Sequence, residues 1–546
     1  MRKAHSAAWF GSVALLASGP LATVATAQSA PATYEVLDPR GAQPPIARIP
    51  LSPRLRNVTG KRIYVVKSWP RNSGFDEVLG QIANALSDRG AIVTVKDRNI
   101  VYSTDDPALW EEMRAKADAF VYVAAASSST TSYAFKWSAL LEKMGLPGVV
   151  VNFSELGSVG DQTSEREGAR LRRATFDYPP LAMPKANFDV AIARILSGLT
   201  APLTRAEIET GIVQPPRNPP IAARGTLQEI QDSFYQAGFT DGLPIMPPTP
   251  QAVQKMLTGT SHPADEVVSQ GFPPEGLIAT VRDVAVNGVM AGCGPEHMSV
   301  LLASMEAFQK YNMNSMLRST NSFSFMQVVN GPIRQQISMN SGTNAVGPGN
   351  RSNSCTGRAL RLFITNLGGG RWGTNLMAVI GNVSNYAFLF AENEEASPWP
   401  SLAVSNGFKP TDSVLTLFEG GFAHSGNYGL GTRIEDVPPD IAGFKLSRGA
   451  AVIVSPARAA SVKADGKSKD DLERFFQEKA CVPLGTMRQE GQFTETAVTR
   501  GQPDTLCVPR FEPGTVKVIV AGNDASPMMQ AWQMYRPLSV SIDRWR

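Results

Sequence analysis

Three short strings carry the side chains most able to do chemistry in this chain. In AGCGPEH, Cys293 follows an apolar run and is trailed by Gly294, Pro295, Glu296 and His297. A thiol attacks as its thiolate, which needs a positive group or a helix start beside it, and Pro295 suits the first position of such a helix. The alternative is a small buried hydrophobe at a helix start. In AENEEASPW, Glu392, Glu394 and Glu395 follow the apolar run from Tyr386 to Phe390. Carboxylates at a strand end serve as general acid and base, or as oxygen ligands for a hard cation; a solvated charged turn is the alternative. NSGTNAVGPGNRSN supplies Asn340, Asn344, Asn350, Arg351 and Asn353 on a glycine-broken loop, and Arg358 follows in GRALRL. Such a loop lets backbone amides approach an anion, and an arginine there can hold a carboxylate through two parallel hydrogen bonds.

Other chemistries lack their residues. The loop does not end in the Lys-Ser/Thr of a nucleotide P-loop, and the glycines of NLGGGRWG read as a turn. His262, His297 and His424 stand at no ligand spacing from one another and no Cys-x-x-Cys occurs, so neither a metal nor another cofactor is expected. No Gly-x-Ser-x-Gly elbow is present. A formal net charge of +4 over 546 residues, with basic residues dispersed, excludes a nucleic-acid footprint. No later stretch reaches the length of apolar sequence a membrane span needs. The expected partner is a small molecule.

The elements that must position these strings begin after a secretion signal. Arg2, Lys3 and His5 precede the apolar run Ala7 to Val24, and Ala25 and Ala27 flank Thr26, so 1–27 reads as a cleaved signal peptide and the protein as periplasmic or secreted. Residues 28–60, rich in Pro and Arg, read as an extended lead-in. Within 61–160, RIYVVKSW, AIVTVKD, AFVYVAAA and PGVVVNFS read as strands, with helices at Phe75–Arg89, 107–116 and Tyr133–Met144 between them. That alternation predicts an α/β domain with a parallel sheet of the flavodoxin or Rossmann kind. Residues 161–225 read as a connector around one helix, Phe188–Leu199. The rest, 226–546, predicts a larger α/β or α+β domain with a helix cap at Thr249 and Pro250, helices at Met298–Lys310 and Lys469–Glu478, and strands SVLTLF, AAVIVS and VKVIVAG. Of the four cysteines, Cys481 and Cys507 share a loop-rich stretch and are expected to pair, leaving Cys293 and Cys355 as free thiols.

From Lys61 to Ser154, most closely from Ala117 to Val151, the chain resembles the first domain of the UGSC family, in which a selenocysteine or cysteine and then Gly-Ser-Cys follow a buried strand. The four motif positions fall here on Ser127, Ser128, Ser129 and Thr130. Both redox atoms are absent, and a hydroxyl replaces neither. FTDGLPIMPPT, MAGCGPEH, NGPIR, NSGTNAVGPGNRSN and AENEEASPW, in that order, resemble the domain often fused to that module. Cys293 and Glu296 coincide with its pattern, whereas His297 and Cys355 depart from it. The resemblance implies a site in the second domain but names no reaction. The expectation is an enzyme cleaving or hydrolysing a carbon–heteroatom bond of a small polar or anionic substrate. Asn340, Asn344, Arg351, Asn353 and Arg358 would hold it, and Cys293, Glu296 or the Glu392, Glu394, Glu395 cluster would act on it. A non-catalytic periplasmic binding protein is the competing expectation.

Overall fold

The computed structural model describes residues 31–68, 75–98, 101–179, 182–311, 314–428, 449–479, 481–489, 498–509, 511 and 513–546. The expected signal segment 1–27 lies outside them.

The first domain is α/β, as its alternating strands and helices predict. Its five parallel strands run in the spatial order Ile92–Asp97, Arg62–Lys67, Ala119–Val123, Gly148–Phe153, Arg173–Phe176. Side chains alternate across the sheet. Ile63, Val65, Val121 and Val149 pack on Ile82, Ile192 and Ile195 on one face. Tyr64, Val66, Phe120 and Tyr122 pack on Trp110, Trp137 and Leu141 on the other.

Two elements differ from the sequence reading. Strand Arg173–Phe176 pairs with Gly148–Phe153, and helix Lys185–Thr200 covers them, so part of the expected connector completes this domain. A four-residue strand beside Arg170, Arg172 and Arg173 is too short and too charged to show its alternation. The motif helix spans Ser128–Lys143, five residues longer at its start than its apolar spacing suggests. Ser and Thr are weak helix formers, yet Ser128 to Ser132 are all buried, so tertiary packing decides.

The lead-in is not loose. Thr33–Leu37 pairs antiparallel with Ile221–Thr226, and Ile46–Arg48 with Gly211–Val213, so the chain entering and leaving the first domain is zipped together. Val36 is buried in the second domain's core, and Ala42 bridges Ile278. Near this neck Arg172 grips Glu207 through Nε–Oε1 (2.7 Å) and Nη2–Oε2 (2.9 Å), while its Nη1 and Nη2 cap the carbonyls of Ala201 and Pro202. Arg172 holds the Glu207 carboxyl at about 2, against an ordinary value of 4.5. A depressed folded-state value contributes stability that is full above the unfolded value and is lost as pH falls through the folded one. Glu207→Gln should therefore flatten the loss of thermal stability between about pH 4.5 and 2 relative to wild type; superimposable acid limbs would contradict this.

The second domain is built on a six-stranded mixed sheet in the order Leu389–Ala391, Ser324–Asn330, Val414–Tyr428, Met528–Ser541, Ala450–Val454, Val516–Val520. The outer pairs are parallel and the central pairings antiparallel. Phe325, Val329, Leu415 and Leu417 face helices Val281–Met290, Met298–Tyr311 and Arg351–Leu362. Met326, Val328, Phe390 and Phe418 line the opposite face. The sheet curls until its edges meet: Asn393 donates from N–H to Val520 O (2.7 Å) and from Nδ2 to Gly522 O (3.0 Å). Thr249 caps helix Pro250–Leu257 as its sequence predicts, accepting from Ala252 N–H. Against the first domain, Glu275 accepts from Arg166 (3.1 Å), and within its own domain it accepts from Arg318 (2.5 Å).

Candidate functional site

The structure corrects the expectation of free thiols at Cys293 and Cys355, which are disulfide-bonded with Cα atoms 5.3 Å apart. Their separation of 62 residues hid the pairing, which arises because helices Val281–Met290 and Arg351–Leu362 pack together. Cys481 and Cys507 pair as expected, across strands Cys481–Pro483 and Cys507–Pro509. No free cysteine remains, so Cys293 offers no thiolate nucleophile in this form.

Beside that disulfide, His297 Nε2 lies 2.9 Å from Ser352 Oγ, and Glu296 Oε1 lies 3.4 Å from His297 Nδ1. The set resembles a Ser-His-carboxylate triad in composition, but its protons run the wrong way. Ser352 gives its one hydroxyl proton to Ile337 O (2.5 Å), so its Oγ accepts from Nε2–H, and Nδ1, 3.0 Å from Gly294 N and 3.2 Å from Gly294 O, accepts from the Gly294 N–H. A triad base must accept from its serine at Nε2. Burial pushes His297 below its ordinary pKa, keeping it neutral. This relay positions backbone and does not activate Ser352. Sequence reading missed Ser352, which only its neighbours reveal.

The acidic string closes a network at the strand ends. Glu392, fully buried, accepts from Asn330 Nδ2 (2.6 Å) and Leu402 N–H (2.7 Å), with Lys469 Nζ 3.9 Å from its other oxygen. Glu394 accepts from Asn330 Nδ2 and Gly331 N–H, both at 2.8 Å. Arg334, buried and supplied by the NGPIR string, pairs with Glu394 (3.1 Å) and Glu395 (3.0 Å) and donates to Glu392 O (2.8 Å). The Arg334 guanidinium holds the Glu395 carboxyl below its usual range.

The glycine-broken loop does meet the acidic string, since Gly522 bridges them: its N–H donates to Ser341 O (2.9 Å) and its carbonyl accepts from Asn393. The asparagines of that loop, however, bind its own backbone. Asn353 Nδ2 donates to Asn340 O (2.8 Å), its Oδ1 accepts from Asn340 N–H, and Asn350 caps the following helix by accepting from Asn353 N–H (3.0 Å). Asn344 adopts a φ of 60°, a conformation asparagine tolerates, with Nδ2 on Pro348 O. Arg351 donates from Nε and Nη2 to Gly292 O, next to the disulfide. Arg358 holds Asp241 with two bonds of 2.8 Å, fastening the FTDGLPIMPPT string to helix Arg351–Leu362.

Open space lies elsewhere. A cleft of about 620 Å³ is lined by Asn321, Ser322, Ile380, Val383, Ser384 and Trp532, with Val379 on the same wall. Ile380 is 93% exposed, and Val379 and Val383 are nearly as open. Ser384 also lines a narrower hollow behind it, formed with Gln327, Asn385, Phe388 and Arg361. Arg361 is only 5% exposed, its Nη2 has no hydrogen-bond partner, and its guanidinium stacks 4.2 Å from the centre of the Trp372 ring. Burial pulls its pKa down to about 10. The hollow that Arg361 lines holds only about 10 Å³, so an anion would reach this cation only where the hollow opens at Ser384 toward the larger cleft.

In the first domain the motif positions hold hydroxyls bonded to one another and to the turn: Ser127 and Ser129 Oγ lie 2.8 Å apart, and Thr130 Oγ1 donates to Ala125 O (2.8 Å). A model of the UGSC family matches residues 35–205, a span that takes in strand Arg173–Phe176 and helix Lys185–Thr200. No curated protein and no solved structure matches the chain.

Proposed function

We propose, starting from the match of residues 35–205 to the UGSC family model, that this is an exported protein whose second domain binds a small organic anion. The anionic group sits beside Arg361, and the apolar remainder lies against Val379, Ile380 and Val383 in the adjoining cleft. The observation carrying this reading is the buried guanidinium whose Nη2 is unpartnered. Asp241, the acidic neighbour that acts on Arg361, is itself held by Arg358, and a buried charge without a hydrogen-bonded partner costs several kcal/mol, which a ligand carboxylate or phosphate would offset.

Binding is favoured over turnover because the groups suited to acid–base or nucleophilic work are engaged elsewhere. Glu392, Glu394 and Glu395 serve Asn330, Arg334 and Lys469, and Cys293 is bonded to Cys355. Export is supported by the Arg2 to Ala27 pattern and by two disulfides, which persist in oxidising compartments. Among the described residues no helix is long and apolar enough to cross a membrane.

The reading is tested by thermal-shift measurements on the full chain with short branched and aromatic carboxylates, each set against its neutral amide. Carboxylates are expected to raise Tm and their amides to leave it unchanged. An equal response to both members of each pair would remove Arg361 from the reading, and conversion of a stabilising carboxylate to product would favour the enzyme alternative.

A further inference from the structure

One point in the second domain gathers donor atoms of a kind the anion site does not use. The sulfurs of Cys293 and Cys355 and a ring nitrogen of His297 lie within 4.8 Å of one another, and all three residues are buried. Two of the three come from the AGCGPEH string at a helix start, and the third from the middle of helix Arg351–Leu362. We propose that opening the Cys293–Cys355 bond converts this point into a Cys2His site for a borderline cation such as Zn2+.

The chemistry balances with a dithiol reductant of the cell envelope. The dithiol gives up two electrons and closes to its own disulfide, the Cys293–Cys355 bond breaks, and two protons make two thiols. A Zn2+ ion then takes both sulfurs as thiolates, releasing two protons to solvent. Thiolate and imidazole are the donors zinc prefers, at metal distances of about 2.3 Å and 2.0–2.1 Å. The three atoms therefore need small shifts to surround one ion once the covalent bond is gone. In the oxidised form the sulfurs carry no thiolate and the site is closed to metal. The cluster supplies three donors, and the fourth position would be left to solvent. The Cys481–Cys507 pair gathers no such third donor among the described residues.

The test titrates Co2+, then competing Zn2+, into the full chain before and after reduction by a phosphine. Reduced wild type should take up one equivalent with the strong visible absorption of tetrahedral thiolate-bound cobalt, and oxidised protein none. His297→Ala should weaken binding by at least the roughly 10–100-fold that loss of an outer-shell partner costs. A Cys481→Ser/Cys507→Ser variant should bind as wild type does. Should His297→Ala not fold, alkylating the reduced wild type with iodoacetamide must abolish uptake instead. Reduced protein that shows four reactive thiols and no tetrahedral cobalt spectrum would overturn the proposal. Equal affinity in His297→Ala would do the same, as would a Cys293–Cys355 bond that no reductant opens in the folded chain.

Discussion

Arg361→Met should make the ligand-free protein more stable, by on the order of 1–3 kcal/mol in denaturant unfolding. Most substitutions at buried positions destabilise, so the sign is the informative part. A base whose folded-state pKa is pulled from 12.5 to about 10 penalises the fold while it is charged, and that penalty is relieved only as pH rises through about 10. At about 1.4 kcal/mol per unit the penalty is on the order of 3 kcal/mol, from which the stacking on Trp372 returns about 1 kcal/mol. Methionine keeps much of the volume and packs against Leu360, Ile364 and Phe388 without a charge to solvate. Arg358→Met, one turn earlier on the same helix, should do the opposite, because it strands the buried carboxylate of Asp241. A loss of stability on Arg361→Met would mean that the guanidinium is a structural strut.

Glu392→Ala should cost about 3–5 kcal/mol, the range for removing one partner of a buried charged network. It removes the acceptor of the Leu402 N–H and of one Asn330 Nδ2 hydrogen, and it takes away the carboxylate beside the buried Lys469 Nζ, which keeps only Pro400 O. Glu392→Gln, which keeps an oxygen acceptor and loses the charge, should fall between wild type and alanine. Urea unfolding of the three proteins measures this. A cost below about 1 kcal/mol for the alanine variant would return the acidic string to the catalytic candidates, since strongly stabilising and strongly catalytic roles make opposite demands on a carboxylate.

The first domain was legible because its strands are buried on both faces and read as uninterrupted apolar runs, as AFVYV and GVVVN do. Arg173–Phe176 was not, since RATF among arginines carries no pattern until Gly148–Phe153 is there to pair with it. In the second domain, the strings rich in chemistry were read as ligand-facing. The structure instead spends Asn340, Asn350 and Asn353 on backbone hydrogen bonds within their own loop, a local competition that side-chain type does not reveal. Cys293 and Cys355 meet only through the packing of two helices, which spacing along the chain cannot encode. Arg361 was passed over for a comparable reason. In RALRL it reads as one more solvated helix charge, and only Trp372 and the hollow behind Ser384 show that it is buried.

The claim that the second domain binds an anion at Arg361 is tested most directly by calorimetric titration of the best stabilising carboxylate, and of its neutral amide, into wild type and Arg361→Met. Loss of one charge-assisted hydrogen-bond partner at a buried site costs about 1.5–3 kcal/mol, roughly a 10- to 150-fold weakening. Wild type should therefore bind the carboxylate at least tenfold more tightly than the amide, and Arg361→Met should bind the two alike. Undiminished preference for the carboxylate in Arg361→Met would contradict the account.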